Sequence, residues 1–295
     1  MLWEYLREEE FPAMIDRAHG VCAMAIGCVE KHGQHLPLGT DTLKGGRILE
    51  MASEREEVCI FPRMYFGDLQ GSQACAAGKG EHYGYIVLSA ELLLQMLREI
   101  CDEIGRNGFK KILLFSSHGG NNALIANFLR AVRAEKKDYD VFSFYNKLVM
   151  PKDILEHIEK HGRDVFPAIT DEDIKTMEDY VAAGKYDGHA GFGESSMLMG
   201  TYPELIRLDR CEVDNGLNRH VADAILDTGI QWPPGWGLNY PDAYCGHPPL
   251  GLTQAIADAS VEISVQRLVE ALKVLKDDSV MDPIIAASRK TWQKD

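Results

Sequence analysis

Between Val21 and Asp41 the chain reads VCAMAIGCVEKHGQHLPLGTD, and this stretch constrains everything around it. The apolar run from Val21 to Ile26, stopped by Gly27, is too short and too flat in period for an amphipathic helix. It predicts a buried strand. The residues beyond Gly27 read as the loop off that strand's carboxyl end, the edge where open α/β sheets bind ligands. That loop holds Glu30, His32, His35 and Asp41 among glycines and a proline. Carboxylate oxygen and neutral imidazole nitrogen suit Zn²⁺ or Mn²⁺. A polar surface loop has the same composition, so the stretch alone leaves both readings open. Asp41 also stands just ahead of a helical pattern, where an N-cap carboxylate would accept backbone N–H bonds.

Downstream, the pattern alternates. Residues 1–20 read as a short helix interrupted by Pro12, and a helix runs from Thr42 to near Arg55. A strand is expected at Val58–Phe61, followed by a long glycine-rich passage, Phe66 to Gly84, of the kind that more often serves function than spacing. Ser89 caps a helix to about Gly105, with Leu92, Leu93, Met96, Leu97 and Ile100 on its core stripe. Lys110–Ser116 is the next buried strand. It enters Ser117-His118-Gly119-Gly120-Asn121-Asn122, where a helix from about Ala123 to Lys136 begins, and Tyr139–Tyr145 is a further strand. The β-α-β alternation implies an α/β fold with a mainly parallel sheet and helices on both faces. The glycines at 119 and 120 let backbone approach a bound group, and the helix start offers N–H donors for an oxyanion.

Residues 147–187 change character, with charged helical pieces at Lys152–Lys160 and Asp171–Ala183 around Pro151 and Pro167. They read as an insertion that covers the site or builds a subunit contact, leaving residues 1–295 as a single domain. A second polar, glycine-rich cluster runs from Asp187 to Ser196 and includes His189 and Glu194. Beyond it lie a Trp- and Pro-rich loop, Gln231–Pro241, and a long helix from Thr253 to Lys276.

The formal charge of −14 argues against a nucleic-acid partner, which would require clustered Lys and Arg. Seven scattered cysteines without a CxxC pair read as free thiols of a reducing compartment. The amino terminus lacks a basic segment followed by an apolar one, and no run approaches a membrane span. A cytoplasmic protein acting on a small molecule, with no membrane partner, is the expectation.

Three loops far apart in sequence thus combine glycine with metal-capable residues: Glu30/His32/Asp41, His118, and His189/Glu194. Together they resemble the creatininase (creatinine amidohydrolase) family. Glu30-Lys-His32-Gly-Gln-His35-Leu-Pro-Leu-Gly-Thr-Asp41 is similar to that family's Glu-x-His-Gly-x-His-Leu-Pro-Leu-Gly-x-Asp signature. His118-Gly-Gly-Asn121 resembles its Asn-Gly-His-Gly-Gly-Asn turn, and Asp187-Gly-His189-Ala-Gly-x-x-Glu194-Ser-Ser196 resembles its His-Ala-Gly-x-x-Glu-Thr-Ser segment. Gly246-His247-Pro248 is a looser echo of a Gly-Asp-Pro found in relatives.

The resemblance implies a three-layer α/β/α sandwich with a divalent metal centre of one or two ions, Zn²⁺ or Mn²⁺ with Fe²⁺ as an alternative, that hydrolyses a C–N bond in a small cyclic or linear amide. Glu30, His32, Asp41 and His118 would be ligands, with Asp41 the bridge in a two-metal site. Glu194 would be a further ligand, or the base for the attacking water. His189 would pass a proton to the leaving nitrogen, and Gly119 and Gly120 would hold the developing oxyanion. A homo-oligomer, a hexamer by resemblance, is implied as well.

There are departures. In creatinine-hydrolysing members the residue two after the His118 equivalent is a metal-binding glutamate; here it is Gly120. The Phe-Pro-Gly-Thr segment near residue 85 is replaced by Glu81-His82-Tyr83-Gly84-Tyr85-Ile86-Val87. These changes point away from creatinine and resemble branches that include deformylases in flavin and deazaflavin synthesis and a peptidase of cofactor maturation, which makes a deformylase or amidase acting on a nucleotide-like or cofactor-biosynthesis intermediate the alternative enzyme. A relative that has lost catalysis and binds a small ligand is the alternative from another class. His82 and Trp232 are candidate substrate contacts, Trp236 walls a pocket or packs under its loop, and His35 orients the ligand loop.

Overall fold

The computed structural model describes residues 1–69, 83–185, 187–214, 216–232 and 234–292. At its centre β1 (Val21–Ile26), β2 (Cys59–Met64), β3 (Lys111–Ser116) and β4 (Asp140–Tyr145) form a parallel sheet in the order β2-β1-β3-β4. The registers Ile26↔Met64, Ile26↔Ser116 and Ser116↔Tyr145 bring the four carboxyl ends to one edge. The expected β-α-β alternation is realised because every crossover is long enough to carry a helix.

Period two along β1 decides which layer each residue meets. Cys22, Met24 and Ile26 face a core shared with α1 (Phe11–Arg17), α3 (Ala90–Arg106) and α4 (Asn121–Arg133). Val21, Ala23 and Ala25 face the opposite core, shared with α2 (Thr40–Arg55) and residues 261–281. All six β1 residues are buried, so the strand carries no polar face and the architecture is a three-layer α/β/α sandwich.

The helices beyond β4 are α5 (Pro151–His161), α6 (Asp171–Ala182), α7 (Phe192–Thr201), α8 (Asp223–Leu226), α9 (Pro234–Asn239), α10 (Gln254–Lys276) and α11 (Asp278–Trp292). The 147–187 segment joins the body through its own cluster: Ile154 of α5 and Met177 and Tyr180 of α6 pack with Phe192 of α7 and Ile256 and Ile263 of α10. Among the described residues no helix is long and apolar enough to cross a membrane.

Several local readings shift. Pro12 does not interrupt a helix; it lies in the first turn of α1, where its missing N–H has no intrahelical partner to lose. Helix α2 begins at Thr40, two residues earlier than its pattern suggests, with Gly39 at the cap position and no side-chain cap bond. Asp41 therefore sits inside the first turn and caps nothing. Ser89 does cap α3, accepting a bond from Leu92 N–H at 3.2 Å. Helix α11 tolerates Pro283 inside it and packs Met281 under the sheet.

Candidate metal centre

The ligand loop is held by its own backbone before any ion is considered. Glu30 N–H donates to Leu38 O at 3.0 Å and Gly33 N–H to Ala243 O at 3.3 Å. At the base of the loop Gly27 meets Thr42, and a Cβ at 27 would collide with that residue's backbone. This close approach sets the start of α2 against the end of β1 and delivers Asp41 beside Glu30. At the start of α4, Asn121 ties the edge together: its Nδ2 lies 3.3 Å from Gly27 O, and its Oδ1 accepts from Asp68 N–H at 2.9 Å. The turn between β3 and α4 thereby holds His118 over the same point.

Three overlapping groups of donors result: Cys28, Glu30, Asp41 and His118; His32, Asp41 and Glu194; and Glu30, His32 and His189. His118 Nδ1 is 3.0 Å from both Glu30 Oε1 and Asp41 Oδ2. His32 Nε2 is 3.5 Å from Asp41 Oδ2 and from Glu194 Oε2. His189 Nδ1 lies 3.8 Å from Glu30 Oε1 and 3.9 Å from Glu194 Oε2, and its ring stacks on His32 with centroids 4.2 Å apart.

These residues fit a divalent ion on two counts. Each imidazole has one nitrogen committed to a backbone carbonyl: His32 Nδ1 to Glu30 O (3.1 Å), His118 Nε2 to Asp68 O (2.9 Å) and His189 Nε2 to Lys31 O (2.7 Å). A carbonyl only accepts, so the bonded nitrogen carries a proton and the other is the one left to face an ion, as in metal-binding histidines. Second, His32 Nε2 is buried without a hydrogen-bond partner. Its 3.5 Å separations are too long for good hydrogen bonds but close to the ~3.4 Å that separates two tetrahedral ligands each about 2.0–2.1 Å from one zinc ion.

The charges respond to one another. Burial disfavours ionised Glu30, yet His118, His189 and His32 draw its carboxyl down to about 2. Burial likewise opposes charge on His32, but Asp41 and Glu194 raise it to about 9. His118 is raised well above the ordinary range against its burial, by Glu30 and Asp41. Asp41 and Glu194 are both lowered despite burial, chiefly by Lys44 and then His32. Without an ion, protons gather on the imidazoles that face the carboxylates; a divalent ion would take their place.

All five proposed ligands, Glu30, His32, Asp41, His118 and Glu194, lie in this assembly, as does His189. Gly119 and Gly120 are exposed at the mouth of the His118 turn. Gly120 has no room for a side chain: a Cβ there would collide with the Asp68 carbonyl and come 2.5 Å from His118 Nε2. His35 reaches the other way, its Nε2 3.0 Å from Ala190 O and from Ser195 Oγ, and fastens the first loop to the third. Trp232 is 42% exposed, and the indole placed edge-on to His189, at 5.4 Å between centroids, is that of Trp236. His82 lies outside the described residues.

Three further residues join the site without having been singled out for it. Cys28, grouped with ordinary buried thiols, has its Sγ 3.1 Å from Asp41 Oδ2 and 3.4 Å from Glu30 Oε1. Only its place two residues before Glu30 hinted at this. Lys44 is fully buried, with Nζ bonded to Asp41 Oδ1 and 2.7 Å from Glu194 Oε1. Its signal was the i,i+3 spacing from Asp41, which places both on one helix face. Tyr145, at the end of β4, has its hydroxyl 3.8 Å from where a Gly119 Cβ would stand. Burial and the charge of Glu194 hold that phenol above its ordinary pKa.

The chain is similar to known proteins in sequence and in fold. The creatininase family profile, described as creatinine amidohydrolase, matches residues 4–272. The creatinine amidohydrolase of Pseudomonas putida is 22% identical over 203 residues, covering 68% of this chain and 72% of its own. Among solved structures, a mutant creatininase of Zn–Zn type matches with a TM-score of 0.64 at 20% identity, over 92% of this chain and 96% of that one. A manganese creatininase matches at 0.62 and 19% identity, over 92% and 97%. The structural likeness confirms the sandwich fold, and with the family profile spanning nearly the full length, the chain belongs to the creatininase family.

Proposed function

We propose that this chain is a metal-dependent amidohydrolase that cleaves a C–N bond of a small cyclic or linear amide at the Glu30–His32–Asp41–His118–Glu194 centre. The observation that carries the reading is the set of three carbonyl-anchored imidazoles, each turning a free nitrogen onto buried carboxylates at the sheet's carboxyl edge. A surface loop or a structural core has no use for that orientation. Zn²⁺ or Mn²⁺ suits the donor set. A divalent ion held there would acidify a bound water from about 15.7 towards 7 and polarise the amide carbonyl.

The chain's own groups divide the remaining work. Glu30, His32 and Asp41 each stand in two of the donor groups, and Asp41 is taken as the shared ligand because one oxygen, Oδ2, faces both His118 Nδ1 and His32 Nε2. Glu194 acts as ligand in preference to base: Lys44 holds its Oε1 and Ala190 N–H donates to its Oε2 at 2.7 Å, and both contacts favour the ionised form. His189 moves the proton to the leaving nitrogen at Nδ1, because Nε2–H is fixed on Lys31 O. Gly119, Gly120 and the Tyr145 hydroxyl line the approach of the carbonyl oxygen. Trp236 walls the pocket beside His189 and Trp232 is a further substrate contact; His82 keeps its role as a candidate substrate contact on the sequence alone.

The substrate in this reading is an amide other than creatinine, since the glutamate that creatinine-hydrolysing members use has neither its residue nor its space at Gly120. The 147–187 segment belongs to the same single domain and serves as a contact between copies in a cytoplasmic homo-oligomer. The test is a screen of small cyclic amides and formamides with the Zn²⁺- and Mn²⁺-loaded protein. Hydrolysis that disappears on chelation and in His189→Ala supports the reading. Loaded protein that hydrolyses none of them, or hydrolysis indifferent to chelator, contradicts it.

A further inference from the structure

The metal-centre reading leaves one buried group unexplained. Lys44 has no exposed surface and reaches into the centre from α2. Burying an ammonium costs several kcal/mol unless it is paired, so its position requires compensation. It has that compensation from Asp41 Oδ1 and Glu194 Oε1, the outward oxygens of two proposed ligands. Only Asp41 Oδ2 and Glu194 Oε2 then remain to face an ion.

The consequence is electrostatic as well as geometric. Three buried carboxylates, Glu30, Asp41 and Glu194, set against one ammonium leave two negative charges, the complement of a single divalent ion. The two halves of the centre are also unequal. Around His118 the donors are Glu30, Asp41 and Cys28, of which Lys44 touches Asp41 alone; His32 stands in one group with Asp41 and Glu194, both held by Lys44, and in another with Glu30 and His189, which Lys44 does not touch.

We propose that Lys44 is a built-in cation that takes the charge of a second ion, so that the chain holds one divalent ion tightly, on Glu30, Asp41 and His118. Lys44 is a positioning residue, acting through the two carboxylates it fixes. The inference rests on the metal-centre reading and deepens it.

The test is metal content, which does not depend on knowing the substrate. Full-length protein is saturated with Zn²⁺, passed through a desalting column, and its zinc per chain measured for wild type, Lys44→Met and Lys44→Arg. One zinc per chain in wild type and Lys44→Arg, rising to two in Lys44→Met, supports the inference. Two retained by wild type overturns it while leaving the metal centre intact, as does a Lys44→Met that folds and still retains one. No zinc in wild type overturns both this inference and the reading beneath it. The wild-type count decides even if the methionine variant fails to fold.

Discussion

His118 donates its Nε2–H to the Asp68 carbonyl oxygen at 2.9 Å, and that contact fills the space a side chain at position 120 would occupy. Gly120 has a helical φ of −60°, so its backbone would accept alanine without strain. Gly120→Ala therefore isolates the steric effect, pushing the ring from its carbonyl anchor. Disturbing such an anchor costs roughly 10–100-fold in metal affinity. A competitive chelator titration should show that loss with the far-ultraviolet spectrum unchanged.

Asp41→Asn separates the shared ligand from its structural surroundings. It removes a charge that Lys44 and His118 both use. The metal-free protein should lose about 3 kcal/mol of stability, as for a broken buried pair, measured by urea unfolding in chelator. Metal content should fall as well. Retention of wild-type metal content would show that Asp41 is not the shared ligand.

The pH dependence of the chelated protein follows from opposite shifts. Glu30 is lowered from 4.5 to about 2, so its contribution to stability is complete above 4.5 and is lost as pH falls towards 2. His32 is raised from 6.5 to about 9, so its contribution is complete below 6.5 and is lost as pH rises through 9. His35 is lowered by burial from 6.5 to about 4, so its contribution is lost as pH falls below 6.5, and melting temperature in chelator should therefore be highest near pH 6.5. Zinc affinity should run the other way above 6.5, rising as the protons that face the carboxylates leave His118 and His32, with protons released on binding. A melting temperature that climbs from pH 6.5 to 9 in chelator would contradict these assignments.

A control substitution lies far from the centre. Ser89→Ala removes the cap of α3 and should cost about 1 kcal/mol without altering metal content.

Much of this was legible in the chain because the relevant rules are local. The β1 run and its abrupt polar loop announced a strand and its functional edge, and the glycines around His118 announced a turn. Asp41 was ambiguous because a helix-start carboxylate and a ligand look alike in sequence; the fold separates them by turning its side chain inward and leaving the cap to Gly39. Lys44 and Cys28 were hidden for another reason. A lysine four residues into a helix is normally solvated, and a cysteine in an apolar run is normally inert. Their burial against the carboxylates arises only when α2, β3 and α7 converge. Pro12 misled in the usual direction, because the penalty for a helical proline depends on its position within the helix.

The most direct measurement is anomalous diffraction at the zinc edge from crystals of zinc-loaded protein. The account predicts a peak among Glu30 Oε1, Asp41 Oδ2 and His118 Nδ1, the donors that already converge here. A map in which those side chains are ordered around no anomalous peak would contradict it.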